Sequence, residues 1–141
     1  MTRDDRPALL ALLVEHEGVR LKPYRDTVGK LTIGVGRNLD DVGISHDEAM
    51  MLLDHDIDRA LGGVAATWPW FADLAPARQI VLVDMAFNLG IGGLKRFRRM
   101  LAALEAGDHA TAAGQMLDSV WAHQVGARAR RLAQMMVEGT I

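Results

Sequence analysis

The chain has 141 residues, 50% hydrophobic and 24% charged, which suits one globular domain with one good core and excludes a disordered protein. A net charge of −2 gives no global attraction to nucleic acid or anionic membrane. The absence of cysteine excludes a disulfide framework, a thiolate zinc site and a thiol nucleophile.

Asp4 or Asp5 as N-cap and Pro7 in the first turn predict a first helix, carried by the apolar positions Leu9, Leu10, Leu13 and Val14. The helix runs to Glu17 and stops at Gly18. Its run Ala8–Val14 is flanked by acids, is too short to span a bilayer and lacks a cleavage site, so it reads as the helix's buried face. The expectation is therefore a protein made in the cytoplasm without an export signal or stable membrane insertion.

Residues 19–36 read as a hairpin. Lys30 to Gly36 alternates polar and apolar residues, and Thr27-Val28-Gly29-Lys30 supplies the turn. Residues 37–44 form a loop. Ser45-His46-Asp47-Glu48 is a capping box opening a helix with the stripe Ala49, Leu52, Leu53, Ile57, Ala60 and Leu61, ending at Gly62-Gly63. Asp54, Asp56 and Asp58 are two apart and cannot share a metal on one helix face, so no metal is expected. Trp68-Pro69-Trp70-Phe71 reads as a turn anchoring the next helix, at 76–89, which is apolar nearly all round and so predicted to be central and fully buried. Gly90, Gly92 and Gly93 break it. Three short helices follow, at about 94–106, 108–118 and 127–138, separated by Gly107-Asp108 and Gln124-Val125-Gly126.

The chemistry concentrates early. Glu17 ends a helix, Asp26 lies nine residues on in a strand, and Thr32 lies six further. Two carboxylates facing across a cleft are what glycoside hydrolysis needs, one as proton donor and one to handle water or the sugar cation. Spacing alone fits equally a capping Glu and a solvated strand Asp.

The whole pattern EG-x-x-L-x-x-Y-x-D-x-x-G-x-x-TIG-x-G resembles the phage-type lysozymes, the endolysins of glycoside hydrolase family 24. Phe87-Asn88-Leu89-Gly90, Phe97 and Trp121-x-x-Gln124-x-x-x-Arg128-x-x-Arg131 resemble the same family's larger lobe. The resemblance implies a mainly α, α+β lysozyme-like fold of two lobes within one domain, 1–141. The small hairpin lobe is about 19–44 and the connecting helix about 45–61. The large helical lobe takes residues 1–18 together with about 62–141, and substrate lies in the cleft between the lobes. The short stretch between Gly36 and the capping box predicts that the small lobe lacks a third strand.

The resemblance further implies a muramidase cutting the β-1,4 bond between N-acetylmuramic acid and N-acetylglucosamine of peptidoglycan. Glu17 would be the general acid, a role that burial against apolar surface would favour. Asp26 would stay ionised and, with Thr32, hold the attacking water, an inverting arrangement with carboxyls roughly 6.5–9.5 Å apart. Phe87, Gln124 and Arg128 would bind substrate, with Arg128 near Glu17, and no cofactor is implied. The expected setting is host-cell lysis by a phage, as a monomer released to the wall by another protein such as a holin. Two features depart from the family. Arg37 stands where many relatives carry a histidine, and the matching acid predicts an Arg37–Asp56 ion pair; His16 stands before Glu17 where some relatives have an acid. The rival readings are a lytic transglycosylase, which needs no positioned water, and a wall-binding module without catalysis. The basic residues Arg128, Arg130 and Arg131, without paired grooves or overall positive charge, do not make a nucleic-acid site. The chain is net −5 over residues 1–88 and net +3 over residues 89–141, so the basic half could face an anionic polymer or merely solvent.

Overall fold

The first helix, α1, is Arg6–Glu17, preceded by a short 3-10 turn at Arg3–Asp5. Gly18 is its C-cap and donates to the Val14 carbonyl at 2.8 Å, where the sequence predicts the stop. The computed structural model describes residues 2–141, and the chain divides into two compact units, Met1–Met51 and Leu52–Ile141.

In the first unit α1 is followed by β1 (Arg20–Arg25), β2 (Leu31–Gly34) and β3 (Arg37–Asn38), an antiparallel sheet in the order β1-β2-β3. Tyr24 faces Thr32 in the first pair, and Thr32 faces Asn38 in the second. The third strand corrects the expectation of a plain hairpin. The segment 37–41 is held along β2 by polar bonds: Leu39 N–H to the Leu31 carbonyl at 2.7 Å, Leu31 N–H to Asp40 Oδ2 at 2.8 Å, and Lys30 Nζ to Asp41 Oδ1 at 3.0 Å. Bonds of this kind leave no apolar signature in sequence.

A second correction concerns α1. No residue of α1 is buried, and Leu9, Leu10, Leu12, Leu13 and Val14 are exposed. The reason is local: among the described residues of this unit only Thr32 is buried, so the unit has no apolar core to receive the stripe.

The helix α2, His46–Thr67, opens with the predicted capping box. Glu48 N–H donates to Ser45 Oγ at 3.1 Å, and Ser45 N–H donates to Glu48 Oε2 at 3.3 Å. It does not stop at Gly62-Gly63. A methyl on Gly63 would stand 2.9 Å from Ile91 Cγ1, so this glycine marks a close helix approach, not a helix end.

The second unit holds the core. After a 3-10 turn at Pro69–Asp73 comes α3, Pro76–Lys95. Its buried face is Ala77, Val81, Leu82, Met85, Ala86 and Leu94, while Ile80 and Phe87 on other faces are exposed. The prediction of a fully buried helix is thus corrected: one side lines a groove. Of the three glycines only Gly90 leaves helical geometry (φ 73°, ψ 165°), and the helix resumes to Lys95. Then follow α4 (Arg98–Glu105), α5 (His109–Leu117), α6 (Val120–Val125) and α7 (Ala127–Glu138). The sequence reading missed α6, a helix of under two turns whose signal is its cap: Ser119 Oγ accepts from Ala122 N–H at 3.1 Å. Met100, Leu104, Met116, Leu132 and Met136 complete the core, and Phe71 is buried with Trp68 and Trp70 packed around it, as an anchoring turn requires.

Arg37 is paired with Glu48, not Asp56. Nη1 and Nη2 meet the two carboxylate oxygens at 2.6 and 2.9 Å, and Nη1 also donates to the Gly43 carbonyl at 3.1 Å. Glu48 is turned back by its capping box toward the start of α2, within reach of β3. Asp56 lies eight residues further along the helix, roughly 12 Å at 1.5 Å per residue, and pairs with Arg59 at 3.4 Å. The Arg37 guanidinium, with help from the Ser45 amide, holds the Glu48 carboxyl below its ordinary value of 4.5. A depressed carboxyl contributes stability fully above its unfolded value and loses it as pH falls through the folded one. Glu48→Gln keeps the capping geometry but not the charge. The thermal-midpoint gap between wild type and Glu48→Gln is expected to narrow steadily below about pH 4.5. A gap that stays constant through the acid range would show that the pair contributes nothing.

Candidate active site

The first unit carries all three residues of the Glu–Asp–Thr pattern. Asp26 follows β1 and is fixed by the turn it opens. Its Oδ1 accepts from Val28 N–H at 3.0 Å and from Lys30 N–H at 2.8 Å, and its own N–H donates to the Lys30 carbonyl at 2.9 Å. Such an Asx arrangement is the local conformation that Asp favours before a Gly-containing turn. Among the described residues none donates to Oδ2, so that oxygen is left for an external hydrogen-bonding partner.

Thr32 lies one strand over. It is 3% exposed, and its Oγ1 donates to the same Lys30 carbonyl at 2.9 Å. With its proton committed, the hydroxyl keeps lone pairs able to accept from water or an alcohol. The backbone of one residue thereby orients both side chains: the Lys30 N–H holds the carboxylate and the Lys30 carbonyl holds the hydroxyl.

Glu17 occupies the last position of α1. A methyl on Gly36 would stand 3.5 Å from Glu17 Oε2, so the glycine ending the β2–β3 connection lies against this carboxyl. Gly36 has φ +76°, a conformation that a side chain would strain. The sequence reading matched Gly36 only as part of a motif. Its left-handed turn position was the available signal; its contact with Glu17 was not readable. Glu17 is exposed, so it lacks the burial against apolar surface that would favour the acid role.

Phe87 and Arg128 belong to the second unit, where both line a groove of about 530 Å³ with Leu53, Ile57 and Ile80. Arg128 does not stand alone there. Its Nε and Nη2 meet Asp84 Oδ1 at 2.9 and 2.7 Å, and Nη2 bonds the Asp84 carbonyl at 3.4 Å. Gln124 is exposed on α6 and is not among the groove's lining residues. Asn88 and Trp121, 33 positions apart, are joined through Trp121 Nε1–H to Asn88 Oδ1 at 2.9 Å. Among the described residues no helix is long and apolar enough to cross a membrane.

Comparison with known proteins identifies the family. The family model described as phage lysozyme matches residues 14–135. The pre-baseplate central spike protein Gp5 of Enterobacteria phage T4 is 30% identical over 168 residues, covering 98% of this chain and 29% of that protein. This chain therefore spans under a third of the spike protein's length. The probable T4-type lysozyme 1 of Dictyostelium discoideum is 25% identical over 159 residues, covering 92% and 94%. The SAR-endolysin of Escherichia phage Mu is 33% identical over 113 residues, covering 78% and 64%. With the family model matched from the end of α1 to α7, the chain belongs to the phage lysozyme family and is a lysozyme-type glycoside hydrolase domain.

Proposed function

We propose that the chain is a muramidase that cleaves the β-1,4 bond between N-acetylmuramic acid and N-acetylglucosamine of bacterial peptidoglycan with inversion. The observation that carries this reading is the anchoring of both Asp26 and Thr32 on the backbone of Lys30, one on its N–H and the other on its carbonyl. A transglycosylase has no use for a water-holding pair, and a wall-binding module has no use for an oriented carboxylate.

In this mechanism Glu17 donates its proton to the glycosidic oxygen as the bond to the departing sugar breaks. Asp26 stays ionised and stabilises the oxocarbenium-like transition state. Its Oδ2 and Thr32 Oγ1 hold a water on the opposite face of the sugar, which adds to the anomeric carbon and gives up a proton to Asp26. Gly36 keeps the space beside Glu17 clear. Phe87, Gln124 and Arg128 contact the saccharide or its peptide stem, and the reaction uses no metal or cofactor. The same proposal covers the setting: a monomer that accumulates in a phage-infected or lysogenic host cell's cytoplasm and reaches the wall once a holin-like protein opens the way.

Mass analysis of the fragments released from purified peptidoglycan tests the reaction. Wild type is expected to yield fragments ending in hydrated reducing muramic acid, and Glu17→Gln to lower their rate by about 10²–10⁴. Fragments lighter by one water would mean a transglycosylase, and no fragments from folded protein a binding module. Thr32 separates stability from chemistry. Thr32→Val should cost about 1 kcal/mol in unfolding for the lost bond to Lys30 and also suppress turnover, whereas Thr32→Ser should retain most activity. If Thr32→Val turns over like wild type while losing that stability, the hydroxyl has no part in the chemistry.

A further inference from the structure

The junction of α3 and α4 carries Lys95, Arg96, Arg98 and Arg99, four cations within five residues of a chain whose net charge is −2. Here the backbone folds around a concavity of about 370 Å³ lined by Arg96, Arg98, Arg99, Gln115, Asp118 and Ser119. Its Phe97 wall is braced, because that ring packs edge-on against Trp121 at 6.0 Å. Among the described residues none of the four cations forms an ion pair; the pairs formed lie elsewhere, at Lys30, Arg37, Arg59 and Arg128.

This charge is held against the local preference. Arg98 and Arg99 open α4, whose first turn has no acid and whose N-cap, Phe97, has no side chain to satisfy the amides. Cations at the positive end of a helix repel its dipole and one another. Asp118 is the single carboxylate in the lining, against three guanidiniums. Solvated arginines on a convex helix would need no further account; arginines turned to a shared concavity, with Gln115 and Ser119 as added polar groups, make a receptor for oxyanions.

We propose that this concavity binds a phosphodiester polyanion of the poly(glycerol phosphate) type, with Arg96, Arg98 and Arg99 shared between neighbouring phosphates of the chain. Guanidinium forks match phosphate oxygens bidentately. Arg98 and Arg99 are successive on a helix and diverge by about 100°, so they address neighbouring phosphates of a flexible chain better than one isolated ion. The concavity takes a phosphate and its glycerol but is too small for a duplex groove face. Glu17, Asp26 and Thr32 are not among the lining residues, so binding is read without turnover.

The test is calorimetric titration of the full chain with synthetic poly(glycerol phosphate), inorganic phosphate and a DNA duplex, at low and moderate salt. Two variants are compared: Arg98→Gln/Arg99→Gln, and Arg130→Gln/Arg131→Gln on α7, an equally basic pair outside the concavity. The expected result is polymer binding that weakens about tenfold or more in the first variant and is unchanged in the second, with the first variant unfolding at or above the wild-type midpoint and the second at it. Equal weakening by both pairs would mean diffuse electrostatics and overturn the site. Inorganic phosphate binding as tightly per phosphate would make it a free-ion site, tight duplex binding would assign it to nucleic acid, and no polymer binding would remove it. Each of these outcomes rejects the proposal.

Discussion

The backbone of Lys30 is the constraint on which the candidate active site depends. Its N–H fixes the Asp26 carboxylate at 2.8 Å, and its carbonyl receives both the Asp26 amide at 2.9 Å and the Thr32 hydroxyl at 2.9 Å. In a unit where Thr32 is the single buried residue among those described, apolar packing cannot hold side chains in register. Hydrogen bonds do it instead, each a modest net contribution of about 0.5–1.5 kcal/mol, but directional where burial is not. The third strand extends this scheme. Asp40, Asp41 and Asn38 tie the segment after Gly36 onto β2, and Gly36 in turn bounds the Glu17 carboxyl.

The second unit is organised on the opposite principle. Val81, Leu82, Met85, Met100, Leu104, Met116 and Met136 are buried without polar partners, and methionine's flexible side chain suits the irregular gaps between short helices. Against that apolar frame the polar contacts are few and specific. Arg128 holds Asp84 across 44 residues, Trp121 holds Asn88 across 33, and Arg78 donates to the Met136 and Val137 carbonyls at the end of α7. The position where the family pattern asks for Arg128 is therefore anchored by a carboxylate that no local pattern announces.

What the sequence made legible was local chemistry. Gly18, the Ser45–Glu48 capping box and Asp108, which caps α5 by accepting from Thr111 N–H at 3.1 Å, mark element ends through bonds reaching three or four residues. The Glu17–Asp26–Thr32 pattern was legible because it is short and its glycines are turn positions. The failures share one cause, contacts distant in sequence. Gly63 reads as a helix stop until Ile91 is known to pack on it, and α3 reads as buried all round until Ile80 and Phe87 are seen to face a groove. Arg37 was assigned Asp56 by resemblance, whereas chain reach gives it Glu48. The exposed leucines of α1 show the limit most plainly: periodicity finds an apolar face without saying what covers it.

The most direct test of the central claim, that Asp26 and Thr32 together deliver a water to the face opposite Glu17, is the configuration of the first product. Proton NMR of a chromophore-free peptidoglycan oligomer, followed from the first turnover and faster than mutarotation, reads the anomeric signal of the new reducing end. The account predicts that the α-anomer appears first and relaxes toward equilibrium. A first-formed β-anomer would mean retention, and with it a covalent or substrate-assisted route that contradicts the water-holding role of the pair.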